Sequence, residues 1–142
     1  MQGIQKTINS TQRDADLFID NAVFFLRKIQ GNGLCPNIHE YFFRLILDEA
    51  IQNSIHHGNA GDPCKTIYIT ITPSSQFITI TVRDEGKGFS PQEVSDPRSP
   101  ENITRPGGRG IHLIKNFGRA CWNNEGNEIT IILEEGTAAD AN

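Results

Sequence analysis

Residues 37–58 read NIHEYFFRLILDEAIQNSIHHG, and the fold turns on how that stretch is read. Asn37 followed three residues later by Glu40 is a capping-box pattern, which predicts a helix starting there. Ile38, Phe42, Leu45, Ile46 and Ala50 recur at helical spacing and form one apolar stripe. Glu49 and Asn53 continue the stripe, followed by His57, so the inward face turns polar in its last two turns. His56 and His57 sit where a helix C-terminus favours cations, and Gly58 can supply a left-handed residue to end the helix. A carboxylate and an amide one turn apart on a core-facing stripe are costly to bury unless something occupies them.

Outward from that helix the pattern changes twice. Upstream, Ile4 to Asn9 predicts a short first strand. Ser10 or Thr11 can cap a helix running through Leu17, Phe18, Val23, Phe24 and Leu26 to about Gln30, closed by Gly31-Asn32-Gly33. Downstream, Asn59 to Pro63 (NAGDP) is a loop by composition. From Lys65 to Thr72, isoleucines alternate with Thr66, Tyr68 and Thr70. From Phe77 to Asp84 the alternation returns, with Ile78, Ile80 and Val82 on one face. The short connection between the two strands makes them an antiparallel hairpin. Glu85 to Gly108, with four prolines, reads as a long functional loop. Ile111, Leu113, Ile114 and Phe117 then mark a short helix from Arg109 to about Gly118, with Lys115 and Arg119 on its solvated side. A second hairpin joins Ala120–Trp122 to Glu128–Leu133. Locally paired strands with helices before and between them predict an α+β fold, a two-layer α/β sandwich. Its mixed, mostly antiparallel sheet would carry helices on one face. Residues 1–136 read as one domain, and residues 137–142 as a frayed tail.

Composition bounds the function. The 142 residues carry a net charge of −4, 37% hydrophobic and 21% charged residues, which is ordinary for a globular domain. That balance leaves no electrostatic footprint for nucleic acid, and no basic run suggests a membrane surface. Cys35, Cys64 and Cys121 form no C-x-x-C pair, and together with the missing signal-peptide layout they suggest reduced thiols in a cytoplasmic protein.

Three blocks carry chemistry. Glu49 and Asn53 pair a candidate proton acceptor with an amide oxygen suited to a hard cation such as Mg²⁺, which keeps several waters and shares its sphere with phosphates. Asp84-Glu85-Gly86-Lys87-Gly88-Phe89 ends a strand. The Asp84 carboxylate there would lie at the edge of the core and could accept from an exocyclic amine, with Gly86 and Gly88 leaving room for a flat ring. Gly107-Gly108-Arg109-Gly110-Ile111 is a glycine-rich helix opening, where backbone N–H groups can cradle a phosphate. Each block also has a plain structural reading: a helix-end pair, a tight turn, a hinge.

Taken together and in this order, the blocks resemble those of the GHKL ATPases, the group containing gyrase B, heat-shock chaperone ATPases, histidine-kinase catalytic domains and MutL. Glu49 to Asn53 looks like the N box, Asp84 to Gly88 the first glycine box and Gly107 to Gly110 the second. Within the group, Glu49-Ala50-x-x-Asn53-x-x-x-His57-Gly58 and Val82-Arg83-Asp84-x-Gly86-x-Gly88 most resemble the small stand-alone anti-sigma factors that are serine/threonine kinases. The resemblance implies ATP or ADP held between the helix and a lid. Glu49 would be the general base, Asn53 the Mg²⁺ ligand and Asp84 the reader of the adenine amine. Gly86, Gly88 and Phe89 would border the base, and Gly107, Gly108, Arg109, Gly110 and Ile111 would meet the phosphates. His57 is a further candidate contact. Arg105 or Arg109 would face the γ-phosphate, because Pro106 and the doubled glycine shift the lid arginine relative to the family.

The implied function is a regulatory kinase that phosphorylates a serine or threonine on an anti-anti-sigma (STAS-type) partner and sequesters a sigma factor. A homodimer is suggested by the family, and neither a nucleic acid nor a membrane is an expected partner. Two alternatives remain open at this point. One is a nucleotide-gated binding module without phosphoryl transfer; the other is a histidine-kinase catalytic fragment, for which only His39 offers a phosphorylatable histidine.

Overall fold

A computed structural model describes residues 3–87 and 118–135. Five strands form one sheet in the order β1-β2-β3-β5-β4: β1 (Ile4–Asn9), β2 (Thr66–Pro73), β3 (Phe77–Asp84), β4 (Gly118–Trp122) and β5 (Glu128–Glu134). Every pairing among them is antiparallel, so the parallel part of the expected mixed sheet does not occur among the described strands. Two helices, α1 (Gln12–Gly31) and α2 (Glu40–Asn53), make the second layer. The fold is thus α+β, a two-layer sandwich.

The alternation in sequence is the cause of the layering. On β2 the residues Ile67, Ile69 and Ile71 are buried while Tyr68 and Thr72 are exposed. Register then lines the apolar residues up: Ile69 stands opposite Val82, Ile71 opposite Ile80, and Ile80 opposite Ile131. This aliphatic face forms one cluster with Phe18, Leu26, Phe43, Ile46, Leu47 and Ile51 from the helices. No described helix covers the other face, where threonines predominate and the hydroxyls of Thr70 and Thr81 bond to each other across β2 and β3. At its margin the Arg119 guanidinium lies 5.8 Å from the centroid of the Phe77 ring and 3.6 Å from a Glu134 carboxylate oxygen. Arg119 therefore belongs to β4, where a helix had been expected to end. The expected helix from Arg109 otherwise falls outside the described residues.

In α1 the Thr11 side chain accepts from Asp14 N, and the C-terminus closes with Gly33 at φ 65° and Leu34 N donating to Ile29 O at 3.0 Å. That is the left-handed closure in which glycine avoids the Cβ penalty. Its inward residues are Ala15, Phe18, Ile19, Ala22, Val23, Leu26 and Ile29. Leu17 and Phe24 point to solvent, because one seven-residue step along α1 places both opposite that inward arc. Bonds from Arg27 to Glu40, Arg44 to Asp20 and Gln52 to Gln12 pair rising numbers with falling ones, so α1 and α2 run antiparallel.

The start of α2 differs from the capping-box expectation. The N-cap is His39, whose Nδ1 accepts from Tyr41 N at 3.2 Å. Glu40 turns outward to Arg27, whose donation holds its carboxyl below the usual carboxylate range. A side chain committed to a cross-helix pair cannot also reach back to cap the helix, so Asn37 stays in the extended lead-in.

Candidate functional site

Glu49 and Asn53 lie one turn apart at the C-terminal end of α2, both half-buried. The helix does not run regularly to Gly58. Ser54–Gly58 forms a π turn, closed by Asn59 N donating to Ser54 O at 2.7 Å. Single π turns widen a helix locally and recur at functional sites. This one leaves His56 and His57 exposed and swings Gly58 inward against the end of β3.

At that end the aliphatic row of β3 continues Ile78, Ile80, Val82 and then Asp84, each buried. Asp84 is 7% exposed. Burial pushes its carboxyl above the usual range, opposed by the Gly86 N–H that bonds Oδ1 at 2.9 Å and by the positive charge of Lys65. Oδ2 has no donor among the described residues. A carboxylate at the rim of a core, with an acceptor atom unspent, suits an amine-bearing ligand.

Gly58 and Gly86 are required by space. A Cβ on Gly58 would come within 2.6 Å of all three Asp84 carboxyl heavy atoms, and one on Gly86 would overlap the Gly58 carbonyl. Neither glycine has positive φ, contrary to the expected left-handed stop at Gly58; that conformation falls to Ala60 (φ 53°) and Gly61 (φ 74°). The extra residue of the π turn delays the reversal past Gly58.

Of the residues singled out in sequence, Asp84 and Gly86 meet the end of the π turn that continues the helix of Glu49 and Asn53. Gly88, Phe89, Arg105, Gly107, Gly108, Arg109, Gly110 and Ile111 lie outside the described residues. Two participants went unread. Asn59 is fully buried, its Nδ2 donating to Thr66 O at 3.0 Å and its Oδ1 accepting from Glu85 N at 2.9 Å. Glu85 in turn accepts from both N and Oγ1 of Thr66. Within NAGDP an asparagine looks like turn chemistry, and only its burial distinguishes it. Among the described residues there is no cluster of three or more His, Cys, Asp or Glu able to hold a metal ion, and no helix long and apolar enough to cross a membrane.

The model of the histidine kinase-like ATPase domain matches residues 19–133. Among curated proteins, the chain is similar to the anti-sigma F factor of Anoxybacillus flavithermus, 32% identical over 78 residues covering 52% of each chain. It is likewise similar to those of Halalkalibacterium halodurans, 33% identical over 78 residues and 52% of each chain, and Geobacillus thermodenitrificans, 32% identical over 89 residues covering 59% of this chain and 60% of that one. The chain spans a little over half the length of the curated relatives it matches.

Proposed function

The chain belongs to the histidine kinase-like ATPase family, and on that premise we propose that it is an ATP-dependent anti-sigma regulator that phosphorylates a serine or threonine on a STAS-type antagonist and holds a sigma factor in its other state. The observation that carries the reading is the buried Asp84 carboxyl, wedged between Gly58 and Gly86 with Oδ2 uncommitted. An adenine amine donating to that oxygen would satisfy a group whose burial is otherwise unfavourable. The likeness to proteins called anti-sigma F factors supports the regulatory role.

The residues at hand fit the nucleotide. Among the described residues no side chain hydrogen-bonds to that of Asn53, so its amide oxygen could help hold a magnesium ion. A bound magnesium would supply charge neutralisation on the transferred phosphoryl group. Glu49, one turn earlier, would take the proton of the attacking hydroxyl. Gly88 and Phe89 would border the base, while Gly107, Gly108, Arg109, Gly110 and Ile111, with Arg105, would hold the phosphates. His57, exposed on the π turn, would approach the nucleotide from outside.

Incubating the protein with ATP, Mg²⁺ and a STAS-domain protein tests the proposal, with phosphoserine on the partner read by mass spectrometry. Wild type should label it and Glu49→Gln should lower the rate by roughly 10²-fold or more, the usual worth of a general base. Labelling that survives in Glu49→Gln, or no labelling of any partner, overturns the kinase reading. ATP-dependent partner capture without labelling would mark a nucleotide-gated binding module.

A further inference from the structure

The β2–β3 ladder stops one rung early, and the missing rung is occupied by a side chain. Asp84 N donates to Asn127 O at 2.9 Å, so the backbone groups of Asp84 face β5. Successive residues of a strand point their backbone groups to opposite sides, so those of Glu85 face β2. The register places Ile67 opposite Asp84, which makes Thr66 and Glu85 the next pair in line. In an uninterrupted ladder Glu85 N would donate to Thr66 O, and Thr66 N to Glu85 O. Neither bond forms. Glu85 N donates to Asn59 Oδ1, Asn59 Nδ2 donates to Thr66 O, and Thr66 N donates to the Glu85 carboxylate. The primary amide of Asn59 is thus inserted between two strand ends as a surrogate peptide, with the Glu85 carboxylate closing the other half of the rung.

The insert is held without slack. Asn59 is 0% exposed, and all four of its polar atoms are bonded: N to Ser54 O, O from Asp62 N at 3.0 Å, and the two amide atoms as described. The same residue closes the π turn that presents Gly58 to Asp84. One buried amide therefore fixes the helix end, the start of β2 and the Asp84-Glu85-Gly86 corner relative to one another.

We propose that Asn59 is a specificity-determining positioning residue: by replacing the last rung of the β2–β3 ladder it sets the Asp84 carboxylate at the distance from which a 6-amino purine is chosen over a 6-oxo purine. This rests on the reading of Asp84 as the group that meets the base. It assigns to Asn59 the discrimination between bases and leaves triphosphate affinity to other residues.

The probe is a pair of nucleotides, ATP and inosine triphosphate, that differ in the 6-amino or 6-oxo group and the accompanying proton on N1, titrated calorimetrically with Mg²⁺ into the whole chain. A hydrogen bond to a charged acceptor is worth a factor of roughly ten to a hundred, so wild type should prefer ATP by about that ratio. Asn59→Ala should bring the ratio to within about threefold of unity while inosine triphosphate affinity changes by less than about threefold, since only the bond to the 6-amino group is lost. A ratio unchanged in Asn59→Ala, or equal weakening of both nucleotides, overturns the proposal. Should Asn59→Ala not fold, Glu85→Ala decides: its side chain is exposed, and loosening the other half of the rung should reduce the ratio about threefold, one modest hydrogen bond's worth. An unmoved ratio there also overturns it. Wild type that binds both nucleotides equally would instead remove the reading of Asp84, a separate failure visible before any variant is made.

Discussion

The two ends of the sheet's covered face are built on different principles. Toward the hairpin turn, Ile71, Ile78, Ile80, Ile131 and Leu133 meet one another and the helices with at most 1% exposure. Nothing but shape and volume is specified there. Toward the opposite end the same row terminates in Asp84, which meets two glycines, one of them the last residue of a π turn, while an inserted amide bonds the next residue along the strand. The first end gains free energy from apolar area, at about 25 cal/mol per Å² removed from water. The second buries a carboxyl whose charged form burial disfavours and keeps two glycines where no Cβ fits. An end that gives up packing and keeps an acceptor uncommitted is organised for something other than stability.

That contrast can be broken from either side, beginning with the largest effect. Ile80→Ala, in the aliphatic end, should cost about 2–5 kcal/mol in chemical denaturation while the surviving folded protein keeps its preference for ATP over inosine triphosphate. A changed preference would mean that the two ends are not separable. Gly58→Ala should cost less, about 1–3 kcal/mol, because the Asp84 side chain must turn away to admit the new Cβ. Calorimetry should nonetheless find most ATP affinity gone. Affinity retained at the wild-type level would place the base elsewhere.

Asp84→Asn sharpens the contrast through pH. The folded-state carboxyl titrates above its unfolded value because burial disfavours the charge. The fold therefore binds the extra proton between the two values, and stability present below the unfolded pKa is lost as pH rises through the folded one. Nucleotide-free wild type should show that decline as pH rises from the ordinary carboxylate pKa through the raised folded one, and thermal melts of Asp84→Asn should lack it. The smallest effect belongs to the open face: Thr81→Ala, which removes the hydroxyl partner of Thr70, should lower stability by about 0.2–1 kcal/mol and leave nucleotide binding untouched.

The same division separates what could be read from the sequence from what could not. The limits of β3 follow directly from alternation, and the burial of Asp84 follows from counting by twos from Ile80 and Val82. Such patterns are local, and one strand carries its own evidence. The N-cap of α2 was misread because Glu40 has two possible partners, and Arg27, thirteen positions away, takes it. Asn59 escaped notice for a deeper reason. Its meaning exists only where residues 59, 66 and 85 converge, and no periodicity links those positions. The glycines of the site were legible as glycines, but the reason for them, close approach without positive φ, depends on what lies opposite.

The π turn carries a consequence for how the chain can change over generations. Its closing bond spans five residues where an α turn spans four, so the segment contains one residue that an ordinary helix would omit. Losing a single codon between Ser54 and Gly58 would let the helix run on evenly, and each residue beyond would rotate about 100° around the axis. Asn59 would then face away from the gap between the strand ends with its chemistry intact. The placement of that amide is metered by a count of residues, so here length matters to the geometry as strictly as identity.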